Sequence, residues 1–379
     1  MTEAFSSIDG FVLTPQGFVR GRLEQREGRI ARIVGEPVAE SEVRHGGAEL
    51  PLILPGFIDL HVHGGGGRDT MEGGDAAVSI ARLHARHGTT SLLATTMTAP
   101  LDEISAALAA LAPACRERAP QAARVLGVHL EGPYINPGKL GAQPDFAKAA
   151  SIEEIAALNA MAPIRLITLA PEMPGYLALI PQLREAGFQL QIGHTAGTYE
   201  DGVAALRQGA GGFTHLFNAM SGLHHREPGM VGAALAHAQY AEIIPDLLHV
   251  HPGAIRVALR AIPCLFCVTD STAAAGMPDG DYKLGSHKVS KCMGGVRLAD
   301  GTLAGSTLTM DQALRNLVLK LGLEIEDAAR RCSTHAADYL GLDERGRLAE
   351  GAWADFVVMD RRELRLQRVV VEGEEIAVD

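Results

Sequence analysis

Two histidines, His61 and His63, close the apolar run LILPGFIDLHVH, with Asp59 two residues before the first. Side chains two apart on a strand share a face, so both imidazoles and the carboxyl behind them can aim at one point. Paired imidazoles suit zinc or iron. An isolated pair of this kind is as easily satisfied by ordinary hydrogen bonds, so its meaning depends on its company. Further apolar runs end in His129 and Glu131, in His194, in His215 and Asn218, in His249 and in Asp270. Core packing explains such a set poorly, because every buried polar group needs a partner. A metal is the economical partner.

Other motifs carry less. The four glycines Gly64 to Gly67 lack the Lys-Ser or Lys-Thr of a phosphate loop and the spacing of a dinucleotide fold. A turn that lets backbone approach substrate or a neighbouring loop is the better reading. Cys264 and Cys267 form a CxxC inside an apolar strand with no second pair at zinc spacing, so they read as structural. His224, His225 and Arg226 make either a solvated basic loop or an anion clamp. The planar fork of arginine matches phosphate, and this loop follows the sixth strand, which favours the clamp. Met71, Met97, Met220 and Met230 read as packing residues. His84, His87, His237, His287 and His335 fall in helices or outer loops and read as structural or solvent-facing.

To bring these residues together, the chain must alternate strands and helices. Eight apolar runs do alternate with helical patterns: LILPGFIDLHVH, TTSLLATTMT, RVLGVHLEG, IRLITLAPE, FQLQIGHTAG, GGFTHLFNAM, IIPDLLHV and CLFCVTDST. Stretches such as GDAAVSIARLHARHG, SIEEIAALNAMA and YEDGVAALRQGA lie between them, the signature of βαβ units. The expected fold is α/β, a (β/α)8 TIM-like barrel over 55–340, close to the usual size of about 250 residues. Chemistry in such a barrel sits at the C-terminal strand ends, where the polar set falls. The segments FVRGRLEQREGRIARIV, GRLAEGAWADFVVMD and LQRVVVEGEEI read as short strands joined by glycine turns. They predict a small β-sandwich domain built from both termini, 1–54 plus 341–379.

Composition bounds the partners. The chain has 379 residues, 47% of them hydrophobic, which is enough for a large core, and a formal net charge of -11. That charge disfavours nucleic acid and anionic membranes as partners, so a phosphate-bearing ligand would need a few local cations. The N-terminus lacks a basic region followed by an apolar one, and no run reaches the roughly 18 apolar residues of a membrane span. Five scattered cysteines make no disulfide framework. A cytoplasmic protein is expected.

The motifs PGFIDLHVHG, HLEGPYINPGKLGA, GHTAGTYED, THLFNAM, REPGMVGAAL, VTDSTAAAG and LAGSTLTMDQALRN together resemble the N-acetylglucosamine-6-phosphate deacetylase family of the amidohydrolase superfamily. The resemblance runs almost end to end. It implies that Glu131, His194 and His215 hold the main catalytic metal and that Asp270 is the catalytic acid and base. His61 and His63, absent from some members, imply a second metal, so one or two divalent ions are expected. Zinc is the first choice, with iron, manganese or cobalt as alternatives. Ala142, Asn218, Ala219, Arg226, His249, Leu303, Ala304 and Gly305 match the family's substrate contacts. Among them His249 would polarise the acetyl carbonyl, and Arg226 would hold the phosphate by reaching into the neighbouring site of a homodimer. The implied substrate is a small phosphorylated N-acetyl amino sugar. At STHAAD, Ser333 to Asp338, the chain departs from the superfamily's TxNPA pattern, on a helix expected to lie away from the chemistry. The galactosamine epimer, a cyclic amide and a noncatalytic assembly role are the rival readings. Arg226 argues against the second and the filled ligand positions against the third.

Overall fold

A computed structural model describes residues 6–45 and 50–378. Eight barrel strands follow in chain order: Phe57–Val62, Thr89–Thr95, Arg124–Glu131, Ile164–Leu169, Gln189–Ile192, Gly212–Phe213, Tyr240–Ile243 and Cys264–Cys267. The first six form one parallel sheet, each strand beside its predecessor, and the last two pair in parallel with each other. Two seams close the ring. Leu216 N donates to Glu242 O (2.9 Å), and Asp270 N donates to His61 O (2.9 Å). Strands covered on both faces read as continuous apolar runs, and Thr89–Thr95 is buried at every position. Helices lie between most of the strands, as at Ala76–Arg86, Leu101–Arg116, Ile152–Met161 and Tyr199–Arg207.

Three sequence expectations need correction. The run LILPGFIDLHVH is two strands in two sheets: it breaks at Gly56, whose N–H donates to Asp355 O (2.9 Å), and Leu52–Pro55 joins the terminal sheet. An unbroken apolar run does not reveal which sheet each half serves. The seventh strand is Tyr240–Ile243, so His249 stands on the loop beyond it rather than at a strand end. His287 lies in a strand, within a three-stranded antiparallel meander of Gly280–Leu284, His287–Cys292 and Gly295–Arg297. That meander went unforeseen because its apolar content is sparse. Leu284, Val289 and Val296 turn inward onto Met97, Ala274 and Ala304, and most of the rest is exposed or partly exposed.

The terminal sheet has seven strands, in the order Glu374–Ile376, Leu366–Val371, Phe356–Met359, Leu52–Pro55, Ser6–Thr14, Gly17–Arg26 and Arg29–Pro37. Both chain ends build it, as expected. Alternation divides its side chains. Val12, Ile53 and Phe356 join a small core with Leu348 and Ala352, while Phe11, Leu13, Leu52 and Leu54 face the main core. Among the described residues no helix is long and apolar enough to cross a membrane.

Candidate active site

Four side chains on different strand ends meet at the mouth of the barrel. Glu131 ends the third strand, and His194, His215 and Asp270 each follow a strand by two or three residues. Those last three carry left-handed backbone, with φ of 47°, 27° and 50°. For residues other than glycine this conformation costs on the order of 1–3 kcal/mol each and persists only where surrounding structure imposes it. Here it reverses the chain directly after the strand while leaving the side chain in the mouth. The Gly64 to Gly67 turn serves close approach, as expected. A Cβ on Gly64 would stand 2.5 Å from Ala273 N, and Gly64 N donates to Ser271 O (2.9 Å).

The two oxygens of Glu131 face two groups of imidazoles. Oε1 lies 3.2 Å from His194 Nε2 and 3.1 Å from His215 Nε2. Oε2 lies 3.0 Å from His63 Nε2 and 3.4 Å from His61 Nε2. Asp270 Oδ1 closes the second group, 3.4 Å from His63 Nε2 and 3.6 Å from His61 Nε2. The outer nitrogens of two rings are already engaged: His61 Nδ1 donates to Glu242 Oε2 (3.0 Å) and His194 Nδ1 to Lys139 O (2.9 Å). Their Nε2 lone pairs therefore point inward. Nε2 atoms also face one another, at 3.2 Å between His61 and His63 and 3.1 Å between His194 and His215. Lone pairs and carboxylate oxygens crowded together in a buried space fit a divalent cation in each half.

Electrostatics agree with that fit. Burial alone would raise the Glu131 carboxyl, but the imidazoles of His61, His194 and His215 outweigh it and hold it well below the usual carboxylate range. Burial opposes charge on His61, yet Glu131, Asp270 and Glu242 raise it well above the usual imidazole value. The carboxylates of the site thus favour positive charge beside them, whether as protons on the imidazoles or as a cation.

His129 and Asp59 leave the set. His129 is fully buried, faces Thr168 Oγ1 through Nε2 (2.7 Å) and packs edge-on to His61 at 4.6 Å between ring centroids. Burial, then His61, hold it well below the ordinary imidazole value, so it is a neutral support. Asp59 accepts from Thr269 Oγ1 (2.6 Å) and from the main chain of Thr269 and His61. Burial pushes its carboxyl up to about 7. It braces the first strand against the eighth instead of aiming into the mouth.

An open cleft of about 220 Å³ lies over the cluster, lined by His63, Glu131, His194, His215, His249 and Asp270 together with Ala142, Asn218, Ala219, Leu303 and Gly305. Two of the expected contacts stand outside it. The side chain of Ala304 turns into the core with Leu284 and Val296. Arg226 is exposed on its loop with Nη1 2.7 Å from His225 Nε2. At Gly305 a Cβ would stand 2.8 Å from Asp270 O, so only glycine allows this segment to lie against the eighth strand. His249 enters from its loop. Its Nδ1 donates to Asp246 Oδ2 (2.6 Å), and Asp246 Oδ1 accepts the main-chain N–H groups of Leu248 and His249 (2.9 Å each). Burial opposes charge on both partners, but the pair holds His249 above and Asp246 below their ordinary values.

Sequence reasoning missed Gln143, Asp246 and Glu242. Gln143 Nε2 donates to Glu131 Oε2 (2.7 Å) while its Oε1 accepts from Thr98 N (2.7 Å), which fixes the carboxylate plane. Asp246 stood in view within IIPDLLHV, three residues before His249, and spacing to a candidate histidine was the available signal. Glu242, in a short apolar strand, offered only its being charged.

A family model described as the amidohydrolase family matches residues 52–376. The N-acetylgalactosamine-6-phosphate deacetylase of Escherichia coli O157:H7 is 40% identical over 371 residues, covering 96% of this chain and 97% of that protein. The N-acetylglucosamine-6-phosphate deacetylase of Lysinibacillus sphaericus is 38% identical over 361 residues, covering 92% and 93%. The crystal structure of the N-acetylglucosamine-6-phosphate deacetylase of Thermotoga maritima superposes with a TM-score of 0.90 at 32% identity, covering 99% of this chain and 100% of that one. A mutant of the Mycobacterium smegmatis enzyme, in complex with N-acetyl-D-glucosamine-6-phosphate, superposes with a TM-score of 0.89 at 33% identity over the whole of both chains. With its ligand-like strand ends, its cleft and this likeness over nearly the full length, the chain belongs to the amidohydrolase family, beside the N-acetylglucosamine-6-phosphate deacetylases.

Proposed function

We propose that this chain hydrolyses the acetamide of N-acetylglucosamine 6-phosphate, releasing acetate and glucosamine 6-phosphate. The observation that carries the reading is the placement of Asp270 and His249 around one cleft whose floor is the Glu131, His194 and His215 cluster. Glu131, His194 and His215 would hold the principal cation, and His61 and His63 with the other Glu131 oxygen a second. Zinc is the first candidate, and iron, manganese or cobalt suit the same donors. When bound, such a cation acts as a Lewis acid on the acyl oxygen and makes water a better nucleophile.

The chain's own groups move the protons and hold the charge. Asp270, in the cleft with its carboxyl edge beside His63, takes a proton from the attacking water and returns it to the departing nitrogen. His249, with Nδ1 committed to Asp246, presents Nε2 to the cleft and donates from there to the oxygen that becomes negative. Asn218, Ala219, Ala142, Leu303 and Gly305 shape the walls around the sugar. Arg226 lies outside its own cleft, which supports its reaching the phosphate of a neighbouring site in a homodimer. The chain divides into a domain of 1–54 plus 341–379 and a barrel of 55–340, a division supported by Leu52–Pro55 being the last strand that the N-terminal part lends to the terminal sheet. Free cysteines accord with a cytoplasmic setting.

The test is release of amine from phosphorylated and unphosphorylated N-acetyl hexosamines, with divalent metal quantified on the same sample. Turnover confined to the 6-phosphates of a metal-containing protein is expected, and an inert or metal-free protein refutes the reading. N-acetylgalactosamine 6-phosphate belongs in that panel, because a relative covering 97% of its own length carries that substrate in its name.

A further inference from the structure

We propose that Glu242 is a positioning residue that decides whether the His61 and His63 half of the site holds its cation. The inference rests on the reading above, that the two halves bind divalent ions. Glu242 lies on the seventh strand with none of its surface exposed. A carboxylate in such a place requires compensation, and among the described residues its one ionisable partner at hydrogen-bond distance is His61. A carboxylate only accepts, so the proton between them sits on His61 Nδ1 and the Nε2 lone pair is turned toward Glu131 Oε2 and Asp270.

The other three imidazoles lack this arrangement. His194 Nδ1 meets a neutral carbonyl, and the Nδ1 atoms of His63 and His215 are buried without a partner. His61 is therefore the ring whose tautomer and basicity are most firmly set, and outer carboxylates of this kind raise the affinity of a histidine for its metal. The same Oε2 accepts the main-chain N–H of His215 (3.1 Å), so one oxygen touches one residue from each half of the site. Glu242 Oε1 has no hydrogen-bond partner. Its single bonded oxygen acts through the His61 ring on one side and through the His215 backbone on the other.

Glu242→Gln removes the charge, at unchanged volume, while leaving an oxygen that can accept from both His61 Nδ1 and His215 N. Metal-free protein should be titrated with Mn²⁺, with stoichiometry measured after dialysis and the electron paramagnetic resonance spectrum recorded. Wild type is expected to take two equivalents and show the spectrum of a coupled pair. The variant should bind the second equivalent about 10–100-fold more weakly, hold the first within a few-fold, and show isolated Mn²⁺ at one equivalent. Glu242→Asp, which restores the charge, should recover part of the second equivalent, and Glu242→Gln added to His61→Asn should cost nothing further. A Gln variant with two equivalents at wild-type affinity overturns the inference. So does loss of both equivalents together, which marks a structural role. Wild type that takes one equivalent overturns the inference and leaves the function standing; wild type that takes none overturns both.

Discussion

Replacing Asp246 by Asn probes the cleft without touching any group that contacts substrate. Asp246 Oδ2 stands 2.6 Å from His249 Nδ1, with the two side chains 10% and 6% exposed. The pair favours the charged form of His249, in which Nε2 also carries a proton and can donate to the acyl oxygen. In the Asn variant the side-chain oxygen still accepts the N–H groups of Leu248 and His249, which turns the amide N–H₂ toward Nδ1. The ring then keeps a proton on Nε2 but is neutral. Donors on charged groups are about twice as strong as neutral ones. The loss should be about 1.5–2 kcal/mol, or roughly 10–30-fold in kcat, with KM little changed. Removing the donor altogether, as in His249→Ala, should cost on the order of 10²–10³.

The pH profile gives the sharper assay. His249 is held above its ordinary value by Asp246, then Asp270, against burial and Arg297. Activity that needs the charged ring is present at low pH and falls as pH rises through the raised value, and in the Asn variant that fall should move to lower pH. The stability contribution of the pair follows the same signs. The part carried by His249 is complete below its unfolded value near 6.5 and lost above the folded one, and the part carried by Asp246 is lost as pH falls below the carboxylate range. An Asn variant with wild-type kcat and an unmoved basic limb would refute the argument. A change confined to KM would refute it as well.

Asp270→Asn should keep its metal, by elemental analysis, and lose several orders of magnitude in turnover, whereas near-normal activity removes Asp270 from proton transfer. Arg226→Ala should raise KM for 6-phosphates by roughly 10–100-fold and spare unphosphorylated analogues; equal losses on both contradict the clamp. Away from the cleft, Glu372 in the terminal sheet accepts from Arg118 and Arg124 of the barrel and also from Arg345. Burial opposes its charge, but these arginines lower its carboxyl to about 2. That contribution is present above about pH 4.5 and lost as pH falls through 2, so Glu372→Gln should lower stability at neutral pH by about 3 kcal/mol and flatten the acid dependence, as read by thermal unfolding at several pH values.

Local patterns carried much of this architecture. Period and spacing placed His61 and His63 on one face, put Glu131, His194, His215 and Asp270 near strand ends and identified the paired β segments of both termini, because strand alternation and glycine turns are properties of neighbouring residues. Asp59 shows where that reasoning stops. It shares the period of His61 and His63, yet a hydroxyl just beyond the eighth strand, Thr269 Oγ1, takes it out of the cluster. No spacing within the first strand contains that fact.

Tertiary structure decided the rest. LILPGFIDLHVH reads as one mostly apolar run, and the positions of two sheets split it at Gly56. The left-handed backbone of His194, His215 and Asp270 is imposed by packing against the intrinsic preference of those residues. Which oxygen of Glu131 faces which imidazoles, and that Glu242 stands behind His61, depend on elements up to 181 positions apart. The amino-acid order by itself determined which groups were present and on which face of each element they lay. Closure of the barrel determined their distances, because the contacts between distant strands exist only once the ring has formed.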